Sequence, residues 1–232
     1  NNQTLISAHP GQCLLFVDGL RFDIARRLVA MAEERQLQVN MNWRWAGLPT
    51  VTATAKPAVS PIAGKLSGNL TGEDFIPEVS QVNLLLTTDR FRKLLMEEGY
   101  QVFINSFETG DPNKPGARGW TEFGEFDRLG HTLQSGLAAH IDNQLELVLD
   151  RIQDLLEAGW KQVRIITDHG WLLVPGGLPV MKLPKYLTES RWTRCAAIKP
   201  GTRVDVPTAG WFWNAYQHFA FAPGVCCFVK GN

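Results

Sequence analysis

The sequence predicts an α/β protein with an open, largely parallel sheet, and three observations carry that expectation. Strand-length apolar runs stand at 13–17 (CLLFV) and 163–166 (VRII), separated by segments of helical periodicity. A run without apolar/polar alternation suits a strand covered on both faces, the condition of parallel sheets. Both runs lead into a carboxylate, Asp18 and Asp168, and open α/β sheets bind ligands beyond the carboxyl ends of their strands.

Taken in order, the first run turns through Gly19 into residues 21–35, where Ile24, Leu28 and Met31 recur at roughly helical spacing, making a βα unit. Residues 48–66 (LPTVTATAKPAVSPIAGKL) are dominated by Pro, Thr and Gly and predict a loop opening into a short helix. TTDRFRKLLMEEGY at 87–100 predicts a helix with a threonine cap and Gly99 at its end, with a strand, QVFI, following. DPNKPGARG at 111–119 predicts a loop. The longest helical pattern covers 132–158, with Leu137, Ile141, Leu145, Val148, Ile152 and Leu155 on one face, and Gly159 closes it. Residues 175–232 leave the alternation: rich in Trp, Pro and Gly, with β-like runs at TRVDV and GVCCFV, they predict a Trp-rich insertion or cap. Trp211 and Trp213 fall at alternate positions of an expected strand there.

With 44% hydrophobic and 20% charged residues, a chain of 232 residues is expected to form a single domain over 1–232 with a substantial core. Lys+Arg and Asp+Glu both total 23, so the net charge announces neither a nucleic-acid nor a membrane partner. Cys13, Cys195, Cys226 and Cys227 lack zinc-ribbon spacing and are too few for a disulfide scaffold, which predicts a cytoplasmic protein. No apolar run approaches the roughly 20 residues needed to cross a bilayer. The ends NNQT and VKGN carry no terminus signals, so the chain is expected to be a fragment of a longer protein.

The strand-end carboxylates are not alone. His169 follows Asp168, and EFDRLGH places Asp127 and His131 at the i, i+4 spacing that puts two side chains on one side of a helical turn, able to chelate one ion. Oxygen and nitrogen ligands without thiolates suit Zn²⁺ or Mn²⁺. PTVTATAKP at 49–57 offers Thr50, Thr52 and Thr54 at the start of the expected helix. A threonine hydroxyl is a poor nucleophile unless a divalent ion favours its alkoxide, and a helix N-terminus favours the phosphate it attacks. Two ions about 3.5 to 4 Å apart serve phosphoryl transfer, one at the attacking oxygen and one at the leaving oxygen.

VDGLRFD, PTVT, FDRLGH and TDHGW occur in the order in which the alkaline phosphatase superfamily places its first aspartate, nucleophile, Asp-x-x-x-His pair and Asp-His pair. Within that superfamily, VDGLRFDIARRL with PTVTATAKPA most resembles the PglZ domain of bacterial phage-exclusion (BREX) systems, over roughly residues 14–171. The resemblance implies an alkaline-phosphatase-like three-layer α/β/α sandwich and a metal-dependent phosphoester hydrolase, of phosphodiesterase or nuclease type, in phage defence. It implies two divalent ions, Zn²⁺ preferred and Mn²⁺ second. Asp18, Thr52, Asp168 and His169 would surround one, Asp127 and His131 would begin the other, and Thr52 would be the nucleophile. The implied partners are other BREX proteins and a phosphoester such as a nucleotide or nucleic acid. The second ion normally takes one further downstream histidine followed by Gly, and none follows His169; His218 sits in YQHFAF. No cysteine has the C-x-P-x-R context of a sulfatase.

Each residue also has a plainer reading. Asp18 before Gly19 serves equally as a turn former, and Asp127 with His131 as a solvated helix face. His9 and His140 carry no motif, and His218 reads as a histidine packed among aromatics. Thr50 and Thr54 read as structural, with Thr54 the alternative nucleophile. Lys56 reaches either a substrate phosphate or solvent, and Arg21 either pairs with a nearby carboxylate or caps the sheet. Two other functions stay open: a non-catalytic scaffold of a defence complex, and a phosphomutase-type phosphoryl transferase with the same ligands.

Overall fold

The computed structural model describes residues 6–69, 74–174, 176–183, 188–189, 193–199 and 201–229. Its elements in chain order are β1 (Gln12–Phe16), α1 (Phe22–Glu34), α2 (Thr52–Ala58), a 3₁₀ turn (Ala63–Lys65), β2 (Leu66–Ser67), β3 (Glu78–Val79), β4 (Leu84–Leu85), α3 (Thr88–Glu97), β5 (Gln101–Phe103) and β6 (Arg118–Glu122). There follow α4 (Phe126–Leu133), a second 3₁₀ stretch (Gln134–His140), α5 (Ile141–Glu157), β7 (Gln162–Ile166), β8 (Val180–Met181), β9 (Thr188–Glu189), β10 (Cys195–Ile198), β11 (Thr208–Trp211), β12 (Asn214–Phe221) and β13 (Cys227–Phe228).

The expected mixed α/β architecture with a parallel sheet is present. The sheet runs in the order β5-β6-β1-β7 with every pairing parallel. Successive strand side chains point to opposite faces, and β1 shows why its run is apolar throughout. Leu14 and Phe16 pack with Phe91, Leu94 and Leu95 of α3 on one face. Leu15 and Val17 pack with Ile24 and Leu28 of α1 and with Leu145, Val148 and Leu149 of α5 on the other. β7 is an edge of this sheet, so its expected burial is only partial: Val163 and Ile165 are half-buried and Arg164 is exposed.

The expected loop at 111–119 conceals the start of β6, the central partner of both β1 and β5. Its glycine hid it: Gly in a strand weakens the local pattern, yet a Cβ on Gly119 would stand 2.8 Å from the Cys13 sulfur and 3.1 Å from the Trp160 ring. Gly119 is what lets the Trp160 side chain pack against the sheet. The helix expected over 132–158 starts only at Ile141, after a break where Gln134 takes φ +49° and the chain runs as 3₁₀ to His140. In α3, by contrast, Thr87 caps as expected, its hydroxyl accepting from the Arg90 amide at 3.3 Å. Gly99 follows at φ +81°.

Within 175–232 the described strands form an antiparallel sheet, β11-β12-β10-β9, and a small parallel pair, β8 with β13. Positions 175, 184–187, 190–192, 200 and 230–232 of the expected cap lie outside the described residues. TRVDV is not a strand. Trp211 ends β11 and Trp213 lies in the turn before β12, so the two tryptophans belong to a hairpin tip and not to one strand. His218 is exposed on β12 and is not packed among the aromatics. No helix among the described residues is long and apolar enough to cross a membrane.

Candidate functional site

Strand register brings the site together. Phe16 lies level with both Glu122 and Ile166 in the parallel ladder, so Asp18 and Asp168, each two residues further on, emerge side by side. Gly19, at φ +66°, turns the chain back, and its amide donates to Asp168 Oδ1 at 3.3 Å. The His169 amide donates to the same oxygen at 2.9 Å, the Leu20 amide to Thr167 Oγ1 at 3.1 Å, and the Trp171 indole to the Gly19 carbonyl at 2.9 Å. These bonds stitch the two strand-end loops together. A Cβ on Gly19 would stand 3.0 Å from the Asp127 Cβ. The glycine therefore admits α4, which delivers Asp127.

Thr52, the first residue of α2, enters from the other side. Its hydroxyl is 3.3 Å from Asp18 Oδ1 and 3.0 Å from His169 Nε2. His169 Nε2 is itself 3.4 Å from Asp18 Oδ1 and 3.7 Å from Asp168 Oδ2. The Gly170 carbonyl, 3.0 Å from His169 Nδ1, holds the proton of the neutral ring on that nitrogen, which leaves the Nε2 lone pair facing Thr52 and Asp18. One ligand atom from each of Asp18, Asp127 and His169 lies within 4.8 Å of the others. Asp127 thus joins the residues it was expected to stand apart from. Its expected partner, His131, lies 3.4 Å away on the same turn of α4 with a side chain 74% exposed.

Charge accumulates here. Burial pushes the Asp18 carboxyl up to about 7, and the Asp168 charge adds to the rise while His169 opposes it. Asp168 is raised as well, chiefly by burial. Burial alone would lower the His169 pKa, but the Asp168, Asp18 and Asp127 carboxylates outweigh it and the net shift is upward. Asp168 is 2% exposed, and its Oδ2 has no hydrogen-bond partner. Three carboxylates around one imidazole, with a buried oxygen left unpartnered, are a donor set that suits a divalent cation.

The remaining threonines separate cleanly. Thr50 is exposed, whereas Thr54 is fully buried, its hydroxyl donating to the Phe75 carbonyl at 2.8 Å and accepting from the Trp211 indole at 2.9 Å. Thr54 has no hydroxyl free to attack. The Lys56 ammonium ends on Glu122 Oε2 at 2.6 Å, above the Phe16 ring at 4.9 Å. Arg21 forks onto Asp23 at 2.6 and 2.7 Å and lies over the Trp171 ring at 3.9 Å. Glu122 and the Trp211 contact escaped the sequence reading. A Glu closing a strand whose start reads as a loop is a weak signal for the first, and a contact spanning 157 residues leaves no local signal for the second. No family model matches the chain, and no curated protein matches it.

Proposed function

We propose that this chain is a metal-dependent phosphoester hydrolase of alkaline-phosphatase type, acting on a phosphodiester with Thr52 as nucleophile. The observation that supports it most is the Thr52 hydroxyl, 3.0 Å from His169 Nε2 and 3.3 Å from Asp18 Oδ1 at the carboxyl end of a parallel sheet. Asp18, Asp127, His169, Asp168 and Thr52 would hold one Zn²⁺ or Mn²⁺ ion, and His131 with Asp127 a second, more open one. When bound, such ions supply the positive charge that favours a threonine alkoxide and neutralises charge developing on phosphoryl oxygens. Thr52 Oγ1 then bonds to phosphorus as the bond to the ester oxygen breaks, the Thr52 proton passes by way of water to that oxygen, and it departs as an alcohol. Water then attacks the phosphorus of the threonine-bound ester, a proton returns to Thr52 Oγ1 as its bond to phosphorus breaks, and a phosphomonoester is released. Gly170 fixes the His169 ring, and the Gly19 and His169 amides hold Asp168 in place throughout.

The motif order supports extending the reading to the PglZ domain of phage-exclusion systems, in a three-layer sandwich whose Trp-rich C-terminal region packs against the nucleophile segment. In that setting the partners are other defence proteins and the substrate a nucleotide or nucleic-acid ester. The test is hydrolysis of bis(p-nitrophenyl) phosphate with added Zn²⁺ or Mn²⁺, alongside metal analysis. The wild type should turn over and Thr52→Ala should not, both remaining folded. Equal rates in the two proteins would remove Thr52 as nucleophile. A wild type that binds no metal and hydrolyses nothing would favour the scaffold.

A further inference from the structure

We propose that Trp211 and Trp213 are positioning residues that hold the Thr52 hydroxyl in place through Thr54. This deepens the reading of Thr52 as nucleophile and rests on it. The nucleophile segment is braced by the β11–β12 hairpin on both sides of Thr52. Upstream, the Phe212 amide donates to the Leu48 carbonyl at 2.7 Å. Downstream, the Trp211 indole donates to Thr54 Oγ1 at 2.9 Å and the Trp213 indole to the Thr54 carbonyl at 3.2 Å. The Thr54 hydroxyl also donates to the Phe75 carbonyl at 2.8 Å, so its donor and its acceptor are both engaged at a fully buried position.

The hairpin tip is itself immobilised. Trp211 is 2% exposed and meets the Phe75 ring edge-on at 6.4 Å. A Cβ on Gly68 would stand 2.6 Å from the Trp211 ring, and Asn214 Nδ2 donates to the Gly68 carbonyl at 2.8 Å. Indole and glycine backbone are in contact, so the tip has no room to shift toward Gly68. Neither tryptophan touches the Thr52 hydroxyl, so each acts only by fixing the turn that carries it. An attacking atom misplaced by about 1 Å costs about 100-fold in rate, which sets what the brace protects.

The experiment compares Thr54→Val, which keeps the shape and loses the hydroxyl, with Thr54→Ser, which keeps the hydroxyl, and with Trp211→Phe and Trp213→Phe. Three quantities are read: kcat and KM for bis(p-nitrophenyl) phosphate, amide hydrogen exchange over 48–58 and over β1, and Tm. The expected result for Thr54→Val and Trp211→Phe is kcat lowered about 10- to 100-fold with KM little changed. Exchange should quicken over 48–58 but not over β1, and Thr54→Ser should restore both. Wild-type kcat and exchange in Thr54→Val would overturn the proposal, as would a loss spread equally over β1, which marks a merely structural role. If the wild type hydrolyses nothing, the proposed function fails, and exchange alone decides the brace: unchanged protection over 48–58 overturns it and a local increase supports it. Should Thr54→Val not fold, Trp213→Phe, at a half-buried position and losing one bond, is judged by the same criteria.

Discussion

Neutralising one carboxylate of the proposed metal centre should stabilise the metal-free protein. Burial and the Asp168 charge raise the Asp18 carboxyl from its ordinary 3.8 to about 7, so the folded chain holds this proton more tightly than the unfolded chain does. Below about pH 4 both states are protonated and the group contributes nothing. Between about pH 4 and 7 the unfolded state gives up its proton first and stability falls as pH rises; above about 7 the full penalty persists. The difference between 3.8 and about 7 corresponds to about 4 kcal/mol. Water at this one-third exposed side chain screens the charge and reduces the figure to about 2 kcal/mol. For a chain of this length that is about 4–8 °C in Tm. Thermal melts of wild type and Asp18→Asn with EDTA, at pH 4.5 and pH 8, make the assay. Asp18→Asn should melt higher at pH 8, with the gap closing at pH 4.5. Saturating Zn²⁺ or Mn²⁺ should reverse the order, because an ion that binds only the folded state stabilises the wild type. A variant that melts lower than wild type at pH 8 in EDTA would refute the electrostatic reasoning, and no response of the wild type to either metal would refute the site.

His169→Ala should abolish high-affinity metal binding and diester hydrolysis, whereas His131→Ala, removing a largely exposed ring that pairs with Asp127, should weaken a second equivalent of metal and spare the first; calorimetric titration separates the two, and equal losses would show a single shared site. Gly119→Ala should destabilise the fold by about 1–3 kcal/mol, since its Cβ would stand 2.8 Å from the Cys13 sulfur; a urea midpoint equal to wild type would show that the sheet yields at no cost. Burial pushes the Cys13 and Cys195 thiols up to about 12, and Cys226 and Cys227 are half-exposed. Iodoacetamide at pH 8 should therefore label only the latter pair, as read by peptide mass spectrometry, and rapid modification of Cys13 in the folded protein would contradict its burial.

Local physics made much of this protein legible in its sequence. CLLFV is apolar throughout because β1 is covered on both faces, so its strand and the exit of Asp18 at the strand end follow from the run itself. The i, i+4 pair Asp127 and His131 needs only one helical turn, which α4 supplies. Thr87 announces α3 because a cap is a contact between neighbours. Where the pattern failed, the missing information was non-local. The start of β6 reads as a loop because Gly119 serves a close approach between Cys13 and Trp160, residues far from it in sequence. The break before α5 depends on Gln134 in the left-handed region, which apolar periodicity does not reveal. The distance from Asp127 to Asp18 and His169 is fixed by the register of β1, β6 and β7 and by the close contact at Gly19, none of it written in residue spacing. Which threonine is free was decided last and farthest away: Trp211 and Phe75 engage the Thr54 hydroxyl and leave Thr52 facing Asp18 and His169. Residue types and their order set the available chemistry; only tertiary packing, which brings distant side chains within hydrogen-bonding reach, selected the atoms that meet.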